Sequence, residues 1–79
     1  MHIKVSYFGM IVEVTGKKTE SIELKIGQTV EDLILKLSEL YPEIKKNIHQ
    51  IAINHKKCSI DTKIRASDEI ALMPQFSGG

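Results

Sequence analysis

The chain has 79 residues, 42% of them hydrophobic and 27% charged, and its 11 basic and 10 acidic side chains leave a net charge of +1. A domain of this size buries only about 60–65% of the surface its unfolded chain exposes, so its core is adequate but thin. The charge balance excludes the clustered positive field that nucleic-acid backbones select, and a single cysteine, Cys58, excludes an internal disulfide or a four-cysteine zinc site.

Ile3, Val5 and Tyr7 alternate with His2, Lys4 and Ser6, a period of two that predicts a strand. This opening is not the apolar run of a signal peptide, and no later stretch approaches the roughly 20 apolar residues of a membrane span. The expectation is a cytoplasmic protein without a membrane partner. Phe8 and Gly9 end the strand, and Gly16-Lys17-Lys18 reads as a loop. Ile22, Leu24 and Ile26 then alternate with Ser21, Glu23 and Lys25, which predicts a second strand returning as a hairpin.

Past Gly27 and Gln28 the period changes. Val30, Leu33, Ile34, Leu37 and Leu40 recur at steps of three and four, placing one apolar stripe on a helix over 29–41. Thr29 is placed to cap it, Asp32 complements the dipole of the first turn, and Tyr41 before Pro42 stops it. Residues 42–49 have room for one further short helical turn. Ile51 and Ile53 open a third strand, Asn54-His55-Lys56-Lys57 reads as its turn, and Cys58 and Ile60 lie on a short returning strand. Ser67-Asp68-Glu69 is another turn, and Ile70 to Met73 form a last strand ended by Pro74. The class is α+β: a mixed sheet of four to five strands with one main helix across one face. The helix stripe is expected to pack on Ile3, Val5, Leu24 and Ile53.

His2, His49 and His55 lie in different segments without ligand spacing, so no metal site is predicted. Cys58 reads as a half-buried strand thiol. Lys45-Lys46 and Lys56-Lys57 read as a solvated face, available for docking on an acidic partner.

The closing stretch is Met73-Pro74-Gln75-Phe76-Ser77-Gly78-Gly79. Pro74 cannot donate to a sheet ladder, so the last strand lets go there. Ser77, Gly78 and Gly79 have almost no side-chain bulk and wide backbone freedom, which suits a tail that threads a narrow channel and presents its terminal carboxylate. At a glycine usage of about 7%, two terminal glycines arise by chance in roughly one chain in two hundred. Phe8, Met73, Pro74 and Phe76 are candidates for an apolar docking patch where the tail departs. Phe8 and Met73 read equally well as core.

Residues 68–79, DEIALMPQFSGG, resemble the end of the molybdopterin synthase small-subunit family of ubiquitin-like sulfur carriers, in which an acidic turn leads to an apolar strand, proline and terminal Gly-Gly. Ile51-Ala52-Ile53-Asn54 resembles that family's strand ending in asparagine, and residues 3–16 its opening strand, with an aromatic pair, Glu13 and Gly16. Gln75, Ser67 and Val12 depart from the family's usual proline, glycine and arginine. The resemblance implies a ubiquitin-like β-grasp domain over residues 1–76, with first and last strands parallel at the sheet centre, and a tail over 77–79. It further implies that Gly79 is the reacting residue. A ubiquitin-activating-type enzyme would adenylate its carboxylate with ATP and magnesium, and a sulfur donor system would convert it to a thiocarboxylate. The tail would then enter the synthase large subunit and deliver sulfur to a pterin precursor. The chain itself would bind no cofactor and would not be a catalyst on its own. A thiamine-pathway carrier and a ubiquitin-like modifier joined to proteins through Gly79 are the alternatives.

Overall fold

Alternation at the start of the chain produces β1 (His2–Tyr7), whose Ile3, Val5 and Tyr7 are buried while His2 and Lys4 face solvent. In this computed structural model the structure describes residues 1–75; Phe76, Ser77, Gly78 and Gly79 lie outside the described residues. The elements that follow are α1 (Met10–Thr15), β2 (Thr19–Glu23), α2 (Val30–Leu40), a 3-10 turn (Lys45–Asn47), β3 (Gln50–Ile53), β4 (Lys56–Lys57) and β5 (Glu69–Met73).

The strands form one sheet in the order β2-β1-β5-β3-β4. β1 runs antiparallel to β2 and parallel to β5, with Val5 opposite Ile70 and Tyr7 opposite Leu72. β5 is antiparallel to β3, which is antiparallel to β4. A parallel pair needs a crossover connection, and α2 with its flanking segments supplies it. This is the mixed β-grasp sheet with one main helix, and the first and last strands lie parallel at its centre.

The helix begins where the sequence places it. Thr29 accepts from the Asp32 backbone N–H (3.3 Å), and the Asp32 carboxylate accepts from the Thr29 N–H (2.9 Å), a reciprocal capping box. The next two N–H groups, of Val30 and Glu31, donate to the carbonyls of Thr62 (2.9 Å) and Ile60 (2.8 Å). The long β4–β5 connection is thereby tied to the helix start, and its Ile64 enters the core. Val30, Leu33, Ile34 and Leu37 pack in one cluster with Ile3, Val5, Ile22, Leu24, Ile70 and Leu72.

Four expectations need correction. Leu40 is 56% exposed, because successive helix residues turn by about 100° and the position centred over the core after Leu37 is Tyr41, which packs against the cluster. Ile26 is 92% exposed: β2 stops at Glu23, Leu24 is the last buried residue, and residues 25–28 turn with Gly27 at φ 93°. Ile53 is only partly buried, and Ile51 takes its expected place in the core. In the β3–β4 hairpin only Asn54 (φ 50°) and His55 (φ 72°) form the turn, so Lys56 and Lys57 are the returning strand, and both Cys58 and Ile60, the latter 49% exposed, lie beyond it.

One element was not foreseen. α1 is a six-residue helix between Gly9 and Gly16. Its sequence, MIVEVT, is largely β-branched and too short to display a helical period, so it reads as more strand. Gly16 at φ 75° closes it with an N–H bond to the Val12 carbonyl (2.7 Å), and Ile11 is buried beneath it.

Candidate functional site

The site is the end of the sheet at which β5 finishes, and backbone pairing builds it. Tyr7 and Leu72 are the last partners of the parallel ladder, both buried on the helix side. Strand alternation then turns the next residues, Phe8 and Met73, toward the helix-free face. On the other side the His49 N–H donates to the Met73 carbonyl (2.9 Å), which holds the strand in the sheet to its last residue. Pro74 follows and offers no donor.

Pro74 does not leave freely. A Cβ built on Gly9 would lie 2.7 Å from the Pro74 Cγ, so the ring rests directly on the glycine backbone. Gly9 also has φ 54° and ψ −132°, a region open essentially only to glycine. Sequence reading treated Gly9 as a strand breaker and missed this second function, since only the parallel register brings residues 9 and 74 together.

Phe8 is 47% exposed and therefore not core; Met73 and Pro74 are partly exposed and Gln75 is exposed. Phe8 shares a shallow concavity on the helix-free face with Ser6, His55 and Ala71. Met10, at the start of α1, is 56% exposed beside this end and was missed because α1 was missed. The expected patch residue Phe76 and the expected tail residues Ser77, Gly78 and Gly79 lie outside the described residues. His49 flanks the strand end and His55 and Glu69 border the Phe8 concavity, but Phe8, Gly9, Met73, Pro74 and Gln75 themselves bear no titratable side chain. They form a docking platform with no nucleophile and base in partnership.

Charged chemistry lies elsewhere. Glu20 on β2 accepts from the hydroxyls of Tyr7 (2.8 Å) and Tyr41 (2.9 Å) and from the Lys17 ammonium (2.9 Å), tying β1, β2 and the end of α2 together. Burial pushes its carboxyl up, but the hydrogen bonds from Lys17, Tyr7 and Tyr41 outweigh that and hold its pKa below the ordinary 4.5. Burial, reinforced by Glu20, pushes the Tyr7 phenol well above its usual range. Burial also raises the Cys58 thiol. Among the described residues, no group of three or more His, Cys, Asp or Glu side chains is placed to hold a metal ion, and no helix is long and apolar enough to cross a membrane.

The sequence matches the ThiS family over residues 5–79. It is 36% identical to the molybdopterin synthase sulfur carrier subunit of Dictyostelium discoideum, over 96% of this chain and 94% of that one. In structure it resembles the small archaeal modifier protein 1 of Methanosarcina acetivorans, with a TM-score of 0.82 at 26% identity, covering 99% of this chain and 96% of that one. Its fold also matches a chain of the complex of subunits 1 and 2 of molybdopterin-converting factor from Helicobacter pylori, with a TM-score of 0.70 at 24% identity and full coverage of both.

Proposed function

We propose, from the premise that this chain belongs to the ThiS family, that it is a cytoplasmic sulfur carrier acting as the small subunit of a molybdopterin synthase. The observation that carries the reading is the end of β5: an apolar platform delivers the chain, through a proline seated on Gly9, toward a terminal Gly-Gly. Such a platform can dock and aim a tail, and the chemistry then belongs to the tail's terminal atoms and to the partners.

A carboxylate is a poor electrophile, so the first step is activation. An oxygen of the Gly79 carboxylate attacks the α-phosphate of ATP on an adenylating partner that supplies magnesium, and pyrophosphate leaves. Sulfide-level sulfur (HS⁻) released by a donor system attacks the acyl carbon of the mixed anhydride, AMP leaves with the bonding pair, the S–H proton is lost to solvent, and Gly79 ends in a thiocarboxylate. The large subunit receives the tail and directs this soft nucleophile to a pterin precursor. In this scheme the chain binds no cofactor of its own.

The test is reconstitution. Large subunit plus chemically thiocarboxylated carrier should convert the pterin precursor, and carrier with an ordinary carboxylate should not. Equal conversion by both would overturn the reading.

A second reading, a modifier conjugated to proteins through Gly79, is favoured by the likeness to the archaeal modifier protein. Intact mass of the chain from its native cells separates the two. A carrier gains only the difference between sulfur and oxygen, whereas a modifier gains a whole protein.

A further inference from the structure

A groove runs along the helix side of the sheet edge, between α2 and the β3–β4 hairpin. Ile34, Ile48, Ile51 and Ile60 give it apolar walls, Cys58 sits half-buried within it, and the exposed side chains of Lys45, His49 and Lys57 rim it. Its volume, about 350 Å³, is at the small end for a ligand site and suits one or two side chains of a protein partner.

Two observations say what covers it. The first is charge. Residues 45–57 carry Lys45, Lys46, His49, His55, Lys56 and Lys57, and all 10 acidic side chains of the chain lie outside this stretch. Lys46 pairs with Glu43 at 2.6 Å, but Lys45 and Lys57 have no ion-pair partner among the described residues. An apolar groove with unpaired cations at its mouth complements an acidic segment that carries a branched apolar side chain. The second is position. His49, at the rim, is the residue whose N–H holds the Met73 carbonyl where β5 ends. The groove therefore starts beside the site from which the tail departs, and a protein that takes the tail stands next to it.

We infer that the groove seats an acidic, apolar-tipped segment of the sulfur-accepting large subunit, as a second contact independent of the tail. The inference rests on the function proposed above in taking that subunit as the recipient. Apolar side chains fill the groove while carboxylates meet Lys45 and Lys57, so the contact adds affinity and fixes the carrier's rotation about its tail.

Cys58, the single cysteine, is a built-in reporter. Its alkylation by iodoacetamide is followed by intact mass in the free carrier and in the complex with large subunit, while binding is measured separately by calorimetry at two salt concentrations. Saturating large subunit should slow alkylation about tenfold, and a carrier lacking residues 76–79 should still be protected when saturated. The double variant Lys45→Glu, Lys57→Glu should fold like the parent yet bind about tenfold more weakly, with less dependence on salt. Binding with unchanged alkylation, or undiminished binding by the double variant, overturns the inference and leaves the carrier reading intact. Alkylation that slows with carrier concentration alone assigns the groove to a second copy of this chain and also overturns it. Failure of the parent to bind large subunit at all sinks both readings.

Discussion

Gly79 and Gly9 are both glycines, but physics asks different things of them. In the proposed carrier the demand at Gly79 is reach. Deleting it moves the terminal carboxylate back by up to about 3.5 Å of extended chain, and a misplacement of only about 1 Å at a reacting centre can cost on the order of a hundredfold in rate. A carrier ending at Gly78 and thiocarboxylated there should fold and dock normally but deliver sulfur at least about a hundredfold more slowly. Delivery at the parent rate in the pterin-precursor assay would show that the tail is not a measured arm. At Gly9 the demand is space and backbone angle. Gly9→Ala adds a methyl group 2.7 Å from the Pro74 Cγ at φ 54°, and should cost about 1 kcal/mol or more of unfolding free energy. Pro74→Ala in the same chain removes the ring that the methyl group meets, so the double variant should lose less than the sum of the two single losses. Strict additivity in urea unfolding would show that the two residues do not press on each other.

At the scale of elements, α2 shows how a stripe on paper becomes a buried face. Leu37 is fully buried and Leu40 is 56% exposed, although both fit the same spacing. Leu37→Ala should therefore cost about 2–5 kcal/mol, whereas Leu40→Ala should cost less than about 1 kcal/mol. Equal losses would mean that the helix packs in another rotation. The Glu20 clamp gives a pH prediction for the β1, β2 and α2 assembly. Its folded pKa lies below the ordinary 4.5, because the hydrogen bonds from Lys17, Tyr7 and Tyr41 outweigh its burial. The unfolded chain thus binds the proton more readily, and the clamp stabilises the fold above the ordinary value and is lost as pH falls through the folded one. Glu20→Gln should lower stability at pH 7 and flatten the loss of stability below about pH 4.5. Parallel pH profiles for parent and variant would count against the clamp. The sequence showed no sign of it: Glu20, Tyr7 and Tyr41 are far apart in the chain, and Tyr41 was read only as a helix end.

For the whole molecule, the buried cluster among the described residues runs from Ile3 to Leu72, and the carrier reading expects the fold to stand without the last four residues. A chain ending at Gln75 should keep its parent unfolding midpoint while losing all sulfur delivery. A midpoint lowered by several degrees would make the last four residues part of the folded unit. The sequence by itself determined the order of the strands and the main helix, the Thr29 cap and the break at Pro74, because each follows from local periodicity, capping chemistry or a missing N–H. The proposal that the tail is the reacting group also rests on sequence, through its resemblance to a known carrier family. What only tertiary structure decided depends on contacts between distant residues. The β1–β5 register seats Pro74 on Gly9, the rotation of α2 chooses Tyr41 over Leu40, and the loop carrying Ile64 crosses the helix start. α1 belongs with these, since its β-branched residues favour extended backbone, and the helix instead carries Ile11 into the buried cluster. Local preference is a weak force beside burial, and where the two disagree a single sequence shows only the weaker one.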